Sequence, residues 1–171
     1  MGLLQAVAAK TIGAEPIILS GMTPARLDFA RRIVDYVVDV SDGNLSEVVE
    51  EVAPGDVENI KVSVANIDVA QEALTLACKG GVINLFAGMP KSTVLPVDLY
   101  RIHYDEVSLR GTFGFGPSHF HRALTLLASG ELAIAGLITD KVRLEDAEGA
   151  LIAAGQYEGI KALVVMDEGD E

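Results

Sequence analysis

The sequence has no tryptophan, a single cysteine and only 5% aromatic residues, and its 13 basic side chains face 25 acidic ones. One cysteine, Cys78, excludes an internal disulfide and points to a reducing compartment. Cys78 falls late in a predicted helix on its apolar side, the setting of a buried structural thiol rather than a nucleophile. The net charge of −12 argues against nucleic acid or an anionic membrane as partner. No apolar run approaches the ~18 residues of a membrane span. The first residues also lack a basic segment followed by an apolar one. Together these absences describe a soluble, cytoplasmic protein.

What is present is aliphatic. Half of the 171 residues are hydrophobic, carried by Ala, Val, Leu and Ile, the composition of parallel strands covered by helices. Residues 3–13 predict a helix closed by Gly13, followed by a short strand over Pro16–Ser20. Thr23 and Pro24 open a second helix, and Tyr36–Val40 is the next strand. Asn44 or Ser46 begins a helix carrying Leu45, Val48, Val49 and Val52 on one face, stopped by Pro54-Gly55. A strand lies within Val57–Ala65. Asp68 with Gln71 fits a capping box for a helix over Val69–Cys78, which Gly80-Gly81 ends. Val82–Ala87 and Val107–Phe113 are further strands, each running into glycine. Gly116-Pro117 starts a helix in which Phe120, Ala123, Leu124 and Leu127 repeat at helical spacing, ending at Gly130. A helix after Leu144 and a strand over Lys161–Met166 precede an acidic tail expected to fray. This alternation predicts right-handed βαβ crossovers and a parallel α/β sheet.

Direct catalytic signatures are poor. His119 and His121 stand about 200° apart on a helix. With His103 and Cys78 elsewhere, no metal-ligand spacing, nucleophile elbow or phosphate loop is complete. Gly111, Gly114 and Gly116 run in the reverse order of a dinucleotide fingerprint. What remains is a row of strand ends: Ser20-Gly21, Ala65-Asn66, Ala87-Gly88 and Phe113-Gly114. In a parallel sheet these share the edge where a nucleotide binds.

The ordered words GLLQAVAAKTIGA, AQEALTLACKGGVINLFAGMPK, IHYDEVSLRGTFG, LLASGEL, LITDKVRLEDAEGAL and GIKALVV extend the reading over nearly the whole chain. In that series the chain resembles the nucleotide-binding part of zinc-dependent medium-chain alcohol dehydrogenases, on the sorbitol and threonine dehydrogenase side. The resemblance implies a Rossmann-type doubly wound sheet ordered 3-2-1-4-5-6, here without its first strand and without the preceding GroES-like catalytic domain. It implies a cofactor domain over residues 1–138 and, over 139–171, the segment that returns to the catalytic domain, with the acidic tail. Gly2 matches the third fingerprint glycine. Phe86, Ala87 and Gly88 would run under the nicotinamide ribose and ring, and Phe113 and Gly114 would meet the carboxamide. Ala65 and Asn66 would line the crossing towards the adenosine, and Lys161 matches a basic position that reaches cofactor phosphate in some relatives.

At the end of the second strand, relatives using NAD carry an acid for the adenosine ribose, whereas this chain has Ser20. That loss, with Arg26, Arg31 and Arg32 following, tilts the expected cofactor from NAD towards NADP. The implied reaction is hydride transfer between a small alcohol or polyol and nicotinamide. Zinc is implied by the family, but its ligands lie outside this sequence, so no residue is assigned a catalytic or metal-binding role and the chain by itself is expected to be inactive. The competing readings are a stand-alone nucleotide-binding or subunit-association module, and a doubly wound S-adenosylmethionine enzyme. The missing central strand predicts sheet pieces of two and three strands with unpaired edges, the gap filled by Ala162–Met166 or by a neighbouring chain. Association into a homo-oligomer is expected, with Val107–Phe113 as an edge.

Overall fold

The computed structural model describes residues 1–166, and the acidic tail lies outside the described residues. In chain order the elements are helix α1 (Gly2–Thr11), strand β1 (Ile18–Gly21), α2 (Pro24–Ala30), β2 (Tyr36–Asp39), α3 (Leu45–Val52), β3 (Val57–Val62), α4 (Ile67–Leu76) and β4 (Ala77–Leu85). They continue with α5 (Leu99–Tyr104), β5 (Ser108–Gly111), α6 (Pro117–Ser129), β6 (Asp140–Arg143), a 3-10 turn (Leu144–Asp146), α7 (Ala147–Gly155) and β7 (Ala162–Val165). Every strand pairing is parallel, in the orders β1-β2, β3-β4-β5 and β6-β7. The first two are the two-strand and three-strand pieces expected of a doubly wound α/β sheet without its first strand. Among the described residues no helix is long and apolar enough to cross a membrane.

The chain divides into two compact units. One comprises Met1–Gln5 and Asn44–Ala128, the other Ala6–Gly43 and the segment from Ser129. In the first, α4 packs on β3 and β4, burying Ala70, Ala73 and Leu74 against Val62, Ile83 and Val107. In the second, α2 covers β1 and β2 with buried Leu27, Phe29 and Ala30, and α7 lies against β6 and β7.

Several boundaries differ from the expectation, each for a physical reason. Helix α4 starts at Ile67 because Asn66, not Asp68, caps it: the Asn66 side-chain oxygen accepts from the N–H of Asp68 at 2.8 Å and of Val69 at 3.4 Å. It stops at Leu76 because Ala77 turns extended and opens β4. Arg101 fixes that end, its guanidinium donating to the carbonyls of Leu74, Thr75 and Ala77. Cys78 therefore belongs to a strand and is half-buried. Gly80 and Gly81 do not end a helix. They form a bulge in β4, between the pairs Val57–Ala77 and Asn59–Val82. Gly80 has φ +74° and donates to the Asp105 carbonyl at 2.7 Å. A Cβ on Gly81 would lie 2.9 Å from the Cys78 carbonyl oxygen.

Two elements escaped the sequence reading. Helix α5 is a short turn capped by Asp98, and β6 is a strand with three charged residues in four, Asp-Lys-Val-Arg. The second explains where Ala162–Val165 goes: β7 pairs with β6, Asp140 opposite Ala162 through Arg143 opposite Val165, and does not extend either of the other sheets. The periodic apolar residues of α6 remain open to solvent. Phe120, Leu124 and Leu127 are 57%, 53% and 48% exposed.

Candidate functional site at the carboxyl ends of the strands

In the first unit the parallel register sets three strand ends level, Val62 beside Leu85 and Leu85 beside Gly111. The chain leaves β3 through Ser63 to Ala65 and Asn66, leaves β4 through Phe86, Ala87 and Gly88, and leaves β5 through Thr112 to Phe113 and Gly114. Seven of the expected site residues are thus brought to one edge. Backbone hydrogen bonds tie the exits together. Phe86 and Ala87 donate their N–H groups to the Val62 carbonyl at 3.0 and 3.1 Å, and Thr112 donates to that of Leu85 at 3.3 Å.

Beyond those ties the backbone opens. No protein hydrogen bond is made by the N–H of Gly88, Phe113 or Gly114 among the described residues. Gly114 has φ +67°, which lets the chain turn away from β5 without a Cβ in the path. The Phe113 ring is fully exposed and Phe86 partly so. Bare amides flanked by aromatic faces at a sheet's carboxyl edge suit a flat, polar-edged ligand group. Asn66 contributes differently, since its side-chain oxygen serves the α4 cap. Gly2 lies against Ser63, just past β3, and an added Cβ would meet the Ser63 Cβ at 3.7 Å, an ordinary contact.

A polar pair at this edge was missed. Thr112 Oγ1 donates to Asn84 Oδ1 at 3.2 Å, linking β5 and β4 just inside the open loops. The signal was a lone asparagine inside the apolar run Val82–Ala87.

The remaining expected residues lie in the second unit. Ser20 is exposed near the end of β1, and Gly21 stands in register with Asp39 of β2. Asp39 was also missed, and it brings a carboxylate to this edge. The Ser41 hydroxyl donates to it at 2.5 Å and the Ser41 N–H at 3.0 Å, holding its carboxyl below the usual carboxylate range. Arg26, in the first turn of α2, has its guanidinium carbon 5.3 Å from the centre of the Tyr157 ring. Lys161 is exposed beside β7, and its carbonyl accepts from the Thr139 N–H at 2.9 Å. A cleft of about 820 Å³ runs along this return segment, with Arg26, Asp140, Glu145, Glu148 and Ile152 in its lining. Arg26 is the one basic side chain in that lining among the described residues.

Residues 1–129 match the protein family described as zinc-binding dehydrogenase. The chain belongs to that family. It is 26% identical over 168 residues to a sorbitol dehydrogenase of Bacillus subtilis (strain 168), covering 97% of this chain and 47% of that protein. It is 24% identical over 169 residues to an L-threonine 3-dehydrogenase of Rhizobium etli (strain CIAT 652), covering 98% and 48%. Among solved structures it is similar to a putative zinc-binding dehydrogenase from Sinorhizobium meliloti 1021 bound to NADP. That match has a TM-score of 0.83 and 26% identity, covering 96% of this chain and 49% of that one. The chain therefore spans about half the length of the curated relatives it matches. The aligned share is the C-terminal, nucleotide-binding part of a zinc alcohol dehydrogenase.

The family name carries a metal. Among the described residues, no three His, Cys, Asp or Glu side chains are placed to hold one. His119 spends Nδ1 accepting the Gly116 N–H at 3.0 Å, and Cys78 turns its thiol to the Lys79 carbonyl. The described residues do not form a zinc site.

Proposed function

We propose that this zinc-binding dehydrogenase chain holds a nicotinamide dinucleotide for hydride transfer to or from a small alcohol or polyol. The observation that carries the reading is the level edge of β3, β4 and β5, with open amides at Gly88, Phe113 and Gly114. In this reading Phe86, Ala87 and Gly88 lie under the nicotinamide and its ribose. The N–H groups of Phe113 and Gly114 meet the carboxamide, Ala65 and Asn66 line the path towards the adenosine, and Gly2 sits near the pyrophosphate. Ser20, Arg26 and Lys161 serve the adenosine and phosphate end. Residues 1–138 form the cofactor domain, and residues from 139 return towards a catalytic domain.

Bound dinucleotide supplies the hydride acceptor or donor at the nicotinamide ring. The chain's own residues orient that ring through backbone contacts. Polarisation of the alcohol falls to groups beyond those described, so this chain alone does not turn over. Of the two dinucleotides we favour NADP, because Ser20 leaves no carboxylate on β1 to repel a 2′-phosphate and Arg26 follows at once. Asp39, level with Gly21, is the acid an NAD reading would use.

Calorimetry with NADPH and NADH tests the reading. Binding of NADPH with weaker binding of NADH is expected, and silence towards both would remove cofactor binding from the account. A subunit-association role has its own support in the exposed apolar residues Phe113, Phe115, Phe120 and Leu124. It predicts a homo-oligomer by light scattering, and a monomer at all concentrations would rule it out.

A further inference from the structure

Tyr157 occupies a backbone conformation that tyrosine rarely adopts, with φ +62°. It follows the end of α7, where its N–H donates to the Ala154 carbonyl at 3.2 Å and the Glu158 N–H to that of Ala153 at 2.9 Å. This nested pair of bonds closes a helix through one left-handed residue, a position glycine fills by preference. An aromatic side chain there works against the local turn, so its ring must gain elsewhere. What it gains is Arg26. The guanidinium carbon stands 5.3 Å from the ring centre, within reach of a cation–π contact.

Arg26 is half-buried in the first turn of α2, which begins directly after the Ser20-Gly21 end of β1. A ring contact uses none of its five N–H donors, so all remain available to a phosphate. Without the ring, a long arginine side chain would be frozen only on binding, which weakens affinity.

We propose that Tyr157, from the return segment, is a positioning residue for dinucleotide selection, its ring holding the Arg26 guanidinium ready for the 2′-phosphate of NADPH. The inference rests on the NADP reading above. It assigns part of cofactor choice to a residue far from the fingerprint region in sequence.

The test sets stability and binding against each other. Y157G removes the ring and also relieves the left-handed strain. It is expected to melt at or above the temperature of the unmodified chain while binding NADPH about three- to fivefold more weakly, with NADH changed less than twofold. Y157F keeps the ring and is expected to retain NADPH affinity, and R26M is expected to lose the preference for NADPH. If R26M loses that preference but Y157G keeps it, or if Y157G binds NADPH more tightly, the positioning role is overturned and the NADP reading survives. If the unmodified chain binds no NADPH, or R26M changes nothing, the NADP reading falls and the inference with it.

Discussion

Replacing Arg101 by methionine removes a guanidinium that closes the end of α4 while keeping most of the side-chain volume. The group donates to the Leu74 carbonyl, to that of Thr75 at 3.3 Å and to that of Ala77 at 2.6 Å, and its Nε reaches Asp105 Oδ2 at 3.3 Å. The last carbonyls of a helix have no partner within it, so these bonds complete α4 and anchor it to α5. The Thr75 bond is exposed and water can replace it at little cost. The other three are partly buried, with the Arg101 side chain 27% exposed. At ~1 kcal/mol net for each, the substitution should cost about 3 kcal/mol. For a chain of this size that is a fall of roughly 6–12 °C in melting temperature. R101K keeps the charge but not the fork that reaches two carbonyls and a carboxylate together, so it should recover less than half of the loss. Urea unfolding followed by far-ultraviolet circular dichroism measures both. A loss under about 0.5 kcal/mol for R101M would show that the carbonyls rehydrate freely and that the cap is not a source of stability.

Other substitutions probe different parts of the fold. G81A would place a Cβ 2.9 Å from the Cys78 carbonyl oxygen and 3.2 Å from that of Val57. It should destabilise by ~1–3 kcal/mol, and an unchanged denaturation midpoint would contradict the bulge geometry. N66A deletes the α4 cap and should cost about 1 kcal/mol in the same assay. G2A should be neutral or slightly stabilising, because the new methyl makes only ordinary contact with Ser63 and alanine favours the helix. A marked loss would show that a closer approach is required there.

Acid titration tests Asp35. Its carboxyl is held below the usual range, first by the Ile17 N–H at 2.8 Å and then by Lys10, whose Nζ lies 2.9 Å away. A depressed folded-state value means this stabilisation is complete above the ordinary carboxylate value of about 3.9 and is lost as pH falls through the lower one. D35N should therefore be less stable than the parent at neutral pH, with the difference closing below about pH 4. The Lys10 partner, raised first by its hydrogen bond to Asp35, loses its share only as pH rises through its own elevated value. A D35N deficit that persisted unchanged into acid would refute the assignment.

Local chemistry is what the sequence decided by itself. Hydrophobic period, Pro24 at a helix start and glycine after strands placed most elements, because these signals act within a few residues. The level ends of β3, β4 and β5 were legible for the same reason, since neighbouring parallel strands finish on one edge. Tertiary structure decided the rest. Arg101, distant in sequence, sets where α4 ends and so moves Cys78 from helix to strand. The Val57–Ala77 pairing turns a glycine stop into a bulge. The same holds at the site. Asp39 matters only because register sets it beside Gly21. The Arg26–Tyr157 contact joins residues that no local pattern connects, since a ring and a guanidinium meet only once β7 has paired with β6 and the return segment is in place.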